Sequence, residues 1–381
     1  MGYKTRAFFL LFIIVGIILT FRLSDRLPIP EKTSAKNEKN AFSGVLRLWI
    51  FEKNPIGAKN LSVWLNSESA KFEKKNDGIY IQITPVSEKT ILNFAAAGVY
   101  SPDMIAVTPG ILPDEDSLTD LSAIPVLTKT DNFPSSCLIP VASGGYAWAI
   151  NREKVPDGIL SGKILYISDS VSPLSAVAAL CAEQSSIEET PSNRFGIDLS
   201  LPESDEKSSS GTKSVSGEII PGIGSMRTKD ALSSFKKGLC DAALLNISEI
   251  VSLTNASDAP DFEIVPAGER CTEDVLYFAV TSTDKISAPE KQKVCKEFLL
   301  HLLSEEAQMR LSNVSAFPVI DCAPLYTGKK WLNDMEMHFS AGKVFFSDPT
   351  KISDPSHESA LNGFLSGNAG ARAYYRSRIN P

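Results

Sequence analysis

Between residues 45 and 108 the chain alternates short apolar runs with amphipathic stretches, and this alternation restricts the fold more than any other feature. Leu46–Phe51 (LRLWIF) reads as a buried strand. Asn60–Lys75 places Leu61, Leu65 and Phe72 on one helical face with Trp64 beside them, and it ends in Lys and Asn. Ile79–Val86 alternates and is β-branched, so it reads as a strand. Glu88–Ala97 reads as a helix closed by Gly98, and Asp103–Thr108 as a strand closed by Pro109-Gly110. Strand, helix, strand, helix, strand is the pattern of a parallel sheet with crossover helices.

A second unit follows. Tyr146–Ile150 and Lys163–Ile167 read as strands, and Pro173–Ala182 as a helix with Leu174, Val177, Ala178 and Cys181 on one face. Residues 185–217 are Ser-rich, acidic and broken by Pro and Gly, the composition of a mobile insertion that cannot bury enough apolar area to order itself. Structure resumes with a helix at Lys229–Lys237, where Ala231, Leu232, Phe235 and then Leu239 share a face. Strands are expected at Ala242–Asn246, Phe262–Pro266 and Val275–Thr281. Glu290–Leu311 reads as one long helix with Cys295, Leu299, Leu303, Ala307 and Leu311 at steps of four. Helical stretches near 330–341 and 356–376 complete the chain.

The N-terminus carries an uncharged apolar run at residues 7–21, extended to Leu23 when Arg22 snorkels, which is the short end of a membrane-spanning length. Lys4 and Arg6 precede it, as in a signal sequence, but Arg22-Leu23-Ser24-Asp25-Arg26 is a poor cleavage site. An uncleaved anchor is the favoured reading, with a cleaved signal or a buried core helix as the alternatives. Residues 1–6 then form a cytoplasmic stub and residues 24–43, rich in Lys, Glu, Ser, Asn and Pro, a tether. The formal net charge of −7 argues against a nucleic-acid partner. The 6 cysteines are isolated, with no CxxC, and the apolar surroundings of Cys181, Cys240 and Cys295 favour buried free thiols. The 3 histidines are far apart in sequence and lack zinc spacing, and neither a GxSxG elbow nor a Walker loop occurs. No cofactor, metal site or enzymatic activity is expected.

Several local motifs resemble the extracellular solute-binding proteins of ABC transporters, the group that includes maltose-binding protein. Leu46–Ile50 is similar to the family's first strand, and Ser101-Pro102-Asp103-Met104-Ile105 to its Pro-Asp strand start. Leu118-Thr119-Asp120-Leu121 resembles its Leu-x-Asp-Leu, and Tyr146–Val155 its crossing strand. Phe235–Leu244 matches the F-x-x-G-x-x-D-A-A helix-to-strand step. Phe298-Leu299 through Gln308, followed by Ala316-Phe317-Pro318-Val319, resembles the F-L-x-x-L-x-S-x-E-x-Q helix and its loop, and Phe364–Gly367 the terminal F-L-S-G.

The resemblance implies an α/β, two-lobed periplasmic-binding-protein-like fold (type II), to which the apolar run adds an N-terminal transmembrane helix, where relatives are usually released or lipid-tethered. Residues 44–140 plus 283–313 would form lobe 1, residues 141–282 plus 314–381 lobe 2, and Tyr146–Ile150 and Tyr277–Thr281 the hinge. It further implies a monomer at the cell membrane with the bulk of the chain outside. Its partners would be a small polar ligand, with a sugar among the candidates, an ABC permease, and the membrane through residues 7–23. A non-transport sensor or envelope-assembly protein on the same fold is the alternative. The sugar-specific aromatic positions are not kept: Ile150 stands before the Asn of the crossing strand, and Val107 and Gly110 follow the Pro-Asp strand start.

Ligand contacts in the family come from strand-end loops, so the candidate site residues are Trp49, Glu52, Thr108, Gly144, Trp148, Asn246 and Trp331. Five of these have a plainer reading: Trp49 and Trp331 as core aromatics, Glu52 as a solvated loop charge, Thr108 as part of the turn with Pro109-Gly110, and Gly144 as hinge flexibility. Trp148 would share one strand face with Tyr146 and Ile150.

Overall fold

The computed structural model describes residues 42–53, 55–94, 101–108, 115–122, 124, 136–156, 164–167, 223–267, 271–272, 274–282, 289–340 and 345–346. Residues 42–381 belong to one compact unit. The apolar run at 7–23, the tether, the expected helices at 173–182 and 356–376, and the insertion at 185–217 lie outside the described residues. Among the described residues no helix is long and apolar enough to cross a membrane.

The first sheet has the order β2-β1-β3-β11-β4, built from β1 (Gly44–Phe51), β2 (Ile79–Pro85), β3 (Met104–Val107), β4 (Ile139–Ser143) and β11 (Val275–Val280). β1 runs parallel to β2 and β3, as the βαβ pattern requires, and β11 is inserted antiparallel between β3 and β4. Leu46, Leu48 and Ile50 on one face of β1 are buried against helices α1 (Ser62–Lys75) and α5 (Pro289–Leu302). Leu61, Leu65 and Phe72 sit in that core, where the Phe72 and Phe298 rings meet edge-on at 5.2 Å. Burying each such side chain contributes about 1.5–3 kcal/mol. At the sheet edge, Ile79 N–H donates to the Asn76 carbonyl, Ile81 N–H donates to the Glu73 carboxylate, and Pro85 has no N–H. The edge strand is thereby shielded from a further strand.

The second sheet has the order β7-β6-β8-β5-β9, from β5 (Tyr146–Asn151), β6 (Ile164–Ile167), β7 (Ile223–Met226), β8 (Ala242–Asn246) and β9 (Phe262–Pro266). β6 is parallel to β7 and β8, and β5 is antiparallel to β8 and β9. The two sheets therefore share one plan: a parallel trio with its first strand central, then an inserted antiparallel strand, then an edge strand. Helices α3 (Thr228–Lys236) and α4 (Ile247–Thr254) both contact β8, and α7 (Lys330–Ser340) packs on β9. A two-stranded pair, β10 (Cys271–Thr272) with β12 (Phe345–Phe346), completes the described strands.

Several sequence expectations are corrected. The helix expected over 88–97 is described only as α2 (Glu88–Leu92), capped by the Ser87 hydroxyl and ending at Asn93. The helix expected over 290–311 breaks after Leu302: Ser304 caps a new helix, α6 (Glu305–Met309), and Arg310–Val314 continues as a 3-10 turn. Leu239 does not share the buried face of α3, because Gly238, at φ +63°, ends the helix with a left-handed residue and turns Leu239 outward to 59% exposure. Cys240 takes the buried place. The expected hinge strand Tyr277–Thr281 falls largely within β11, which pairs in the first sheet between β3 and β4, and β4 extends that sheet to Ser143. Cys240 and Cys295 are buried and form no disulfide, as expected, and burial pushes the Cys295 thiol up to about 12. Cys137 and Cys322 are half-buried and also form no disulfide.

Candidate functional site

In sheets of this kind the carboxyl ends of the parallel strands face the ligand crevice. In the first sheet those ends are Phe51–Lys53 after β1 and Thr108 after β3. They lie near the places where the chain passes between sheets: Ser143–Tyr146, the described residues Ala267 and Asp274 on either side of the second passage, and Val314–Val319.

Glu52 is half-buried and both its carboxylate oxygens accept from Leu61 N–H, at 2.9 and 3.1 Å. Leu61 is the N-cap position of α1 and has no side-chain cap of its own, so Glu52 supplies the missing acceptor from nine residues upstream. Burial pushes the Glu52 carboxyl up to about 6, against the lowering effect of its backbone donors at Leu61, Ile56 and Ser62. Thr108 is buried and ties the two strand ends together: its hydroxyl accepts from Lys53 N–H at 3.1 Å, and its own N–H donates to the Phe51 carbonyl at 3.2 Å.

Asn246 ends β8 and begins α4. Its side-chain oxygen accepts from Glu249 N–H, and the Glu249 carboxylate accepts from Asn246 N–H, each at 2.9 Å. This reciprocal capping box was readable from Asn246-Ile247-Ser248-Glu249. Gly144 is a point of close approach. Its N–H donates to the Asp274 carbonyl at 2.6 Å, and a Cβ there would collide with the Asp274 carboxylate and lie 2.7 Å from the Ile56 carbonyl oxygen.

The tryptophans divide. Trp148 is buried between β8 and β9, on the face it shares with Tyr146 and Ile150. Trp49 is half-buried and packs on the far face of the first sheet, beside Ile105 in register. Trp331 is half-buried at the start of α7. Glu52, Thr108 and Gly144 thus fall in one neighbourhood, at the first lobe's strand ends and the crossings. Asn246 and Trp148 lie in the second sheet.

Residues not singled out from sequence hold this region together. Gln308 is fully buried: its amide donates to the carbonyls of Val141 and Leu302, both at 2.8 Å, and its oxygen accepts from Val319 N–H at 2.9 Å. One side chain thus binds β4, the end of α5 and the third crossing, which explains the Gln of the F-L-x-x-L-x-S-x-E-x-Q motif. Asp103 does the same at the other end of the sheet, accepting from Arg47 N–H and pairing with Lys291. Glu336 is buried on α7 and accepts from Leu325 and Tyr326 N–H, and the Tyr326 hydroxyl donates to the Ala316 carbonyl at 2.7 Å. Burial and the nearby Glu336 charge push the Tyr326 hydroxyl well above the usual phenol range. Among the described residues no group of His, Cys, Asp and Glu could hold a metal ion.

No protein-family model and no curated protein sequence matches the chain. Solved structures do. The cyclic α-maltosyl-1,6-maltose binding protein of Arthrobacter globiformis aligns over 89% of this chain and 98% of its own, at TM-score 0.56 and 13% identity. RafE of Streptococcus pneumoniae, in its apo form, aligns over 91% and 99%, at TM-score 0.53 and 12% identity. The GacH receptor of Streptomyces glaucescens, solved unliganded and with acarbose, aligns over 89% and 99%, at TM-score 0.52 and 13% identity. The chain has the two-lobed fold of the ABC-transporter solute-binding proteins.

In this binding-protein fold the three crossings form a hydrogen-bonded belt. Ser143 and Phe317 exchange two backbone bonds, at 3.0 and 2.6 Å, joining the first crossing to the third. Gly144 bonds Asp274, and Ala267 N–H donates to the Tyr146 carbonyl at 3.0 Å, joining the first to the second. The loop after Glu52 lies against this belt, since Gly57 sits so close that a Cβ would collide with the Val314 carbonyl. The strand end that carries Glu52 is therefore in direct mechanical contact with the connection between lobes.

Proposed function

We propose that the protein captures a small polar solute between its lobes and presents it to an ABC-type permease for import. The observation that carries this reading is the shared strand plan of the two sheets and the belt that joins them, which provides two lobes able to enclose a ligand that touches both. The solute class is a sugar or another polyhydroxylated compound, the kind named for the Arthrobacter and Streptomyces proteins. Residues 7–23 hold the protein to the membrane with residues 1–6 inside and the lobes outside, through a peptide anchor and the 24–43 tether. Trp49, Glu52, Thr108 and Gly144 line the first-lobe side of the site, and Trp148, Asn246 and Trp331 belong to the second-lobe side. The fold needs no cofactor for this task and is read as a non-enzyme and a monomer.

The test is a thermal-shift screen of the chain from Phe42 onward against sugars, amino acids, peptides, polyamines and oxyanions. Stabilisation by one class supports solute capture and names the class; no stabilisation by any compound sinks it. The anchor is tested by sequencing the N-terminus of the mature protein. A start near Lys36 would return residues 7–23 to an ordinary signal.

A second reading, a surface sensor or assembly protein on the same fold, is favoured by one observation. The polar groups of Glu52, Thr108 and Asn246 are all engaged with backbone N–H groups. A site whose polar atoms are satisfied internally has fewer left to recognise a hydroxylated ligand.

A further inference from the structure

Two open grooves formed by described residues differ in the kind of charge they carry. On the first lobe, a groove of about 390 Å³ along α5 contains Lys293 and Lys296, but Lys293 faces Glu297 at 3.8 Å and Lys296 donates to the Asp120 carbonyl at 3.4 Å. On the second lobe, a groove of about 490 Å³ between α3 and α4 is lined by Lys229, Lys236, Lys237, Ser233, Ser252 and the apolar pair Leu232 and Leu253, with Asp258 at its rim. Lys236 pairs with Asp258 at 2.8 Å. Lys229 and Lys237 are exposed and have no ion pair among the described residues. In a chain of net charge −7, three lysines against one carboxylate make this a local positive site.

The sequence of α3 builds it. Lys229, Leu232, Ser233 and Lys236 stand at i, i+3, i+4 and i+7 and share one face, so Lys229 and Lys236 are about 10 Å apart along the axis. Two hydroxyls lie among the ammonium groups as further donors, and the two leucines give the floor an apolar component. The Asp258 carboxylate holds one lysine in place, and among the described residues no carboxylate pairs with the other two. An anionic phosphate group with a short carbon skeleton matches that pattern: charge for the lysines, acceptor oxygens for the hydroxyls, and carbon for the leucines.

We propose that the groove between α3 and α4 binds a phosphate-bearing group attached to a short carbon skeleton, taken either from a soluble phosphomonoester or from the headgroup of an anionic phospholipid. This site is independent of solute capture at the strand ends and stands or falls separately.

The test uses the full chain in neutral detergent. Inorganic phosphate and sn-glycerol 3-phosphate are titrated by calorimetry, and flotation is compared on phosphatidylglycerol-containing and pure phosphatidylcholine vesicles. The apolar N-terminal run partitions into both vesicle types, so the ratio between them is the readout. Glycerol phosphate binding points to the soluble source and a phosphatidylglycerol preference to the headgroup; either supports the site. K229Q and K237Q should each weaken binding roughly fivefold, and together roughly 25-fold, as expected for a surface lysine near an anionic group. K293Q/K296Q in the first-lobe groove should leave it unchanged. These are exposed side chains, and circular dichroism checks that the variants stay folded. Absence of binding by every probe overturns the proposal, and so does affinity that survives K229Q/K237Q within twofold.

Discussion

Arg310→Met tests how the helical layer of the first lobe is held together. Glu68 lies on α1 with no exposed surface, and its carboxylate is gripped by the Arg310 fork: Nε to Oε1 at 2.7 Å and Nη2 to Oε2 at 2.6 Å. Lys71 donates to it at 3.1 Å, His301 Nε2 lies 3.3 Å away, and Arg310 also reaches Glu306 at 2.7 Å. The Arg310 fork, with Lys71 and His301, overcomes burial and holds the Glu68 carboxyl at about 2 instead of the ordinary 4.5. A carboxyl with a lowered pKa stabilises the fold above the unfolded value and loses that contribution as pH falls toward the folded one. The interval corresponds to about 3 kcal/mol at pH 7, of which about 2 kcal/mol is lost by pH 3. Independently, removing one partner of a buried ion pair costs about 3–5 kcal/mol. Urea unfolding followed by circular dichroism should therefore place R310M about 3 kcal/mol below the parent at pH 7, with the gap narrowing to about 1 kcal/mol at pH 3. The double variant E68M/R310M should recover most of the loss, because it leaves no buried charge unmatched. A gap at pH 7 under about 1 kcal/mol, or one that stays constant down to pH 3, would refute the reasoning.

Four further outcomes follow from the geometry. Gln308→Leu leaves the carbonyls of Val141 and Leu302 and the N–H of Val319 without their partner, and urea unfolding should show a loss of at least about 2 kcal/mol. Gly57→Ala drives a methyl group into the Val314 carbonyl and should cost about 3 kcal/mol by the same measurement, whereas Gly328→Ala, with open space around it, should cost less than about 1 kcal/mol. Asn246→Ala removes one half of the capping box at α4, and thermal unfolding should register a loss of about 1 kcal/mol. Glu52→Gln removes a carboxyl held up at about 6: the parent is favoured below pH 4.5 and loses about 1–2 kcal/mol relative to the variant as pH rises through 6, so parallel stability curves for the two from pH 4 to 7 would contradict the burial assigned to Glu52.

Most strands were legible, either as an alternating β-branched run such as IYIQITP or as a short apolar run such as AALLN, and α1 because its apolar period is regular, but β4 (IPVAS) and β7 (IGSM) are too short and too weakly patterned to be read. Where the strands go was less legible. Val275–Val280 is apolar throughout, and such a run does not say which of two sheets it joins; the backbone pairing with β3 and β4 decides that. The break in the helix after Leu302 depends on Ser304, whose hydroxyl satisfies His301 O and Ala307 N, while steps of four continue across it and conceal it. At the site, the polar residues of the strand ends were visible but their partners were not. Glu52 caps a helix nine residues away and Gln308 bridges three segments, and a linear pattern records neither.

The belt also restricts how the lobes can move. Shear would slide one connection past another, and it would have to break the paired bonds of Ser143 with Phe317, the Gly144–Asp274 bond and the Gln308–Val319 bond together. A rotation that turned the three crossings as a unit would leave these bonds intact, the change in backbone angles being taken up beside them. The close approaches at Gly57 and Gly144 fasten that unit to the strand ends of the first lobe, the same ends that carry Glu52 and Thr108. The two glycines are then more than turn residues. By removing two methyl groups, they bring the strand ends that carry Glu52 and Thr108 into contact with the connection to the second lobe, so that a force applied at those ends would be passed to it.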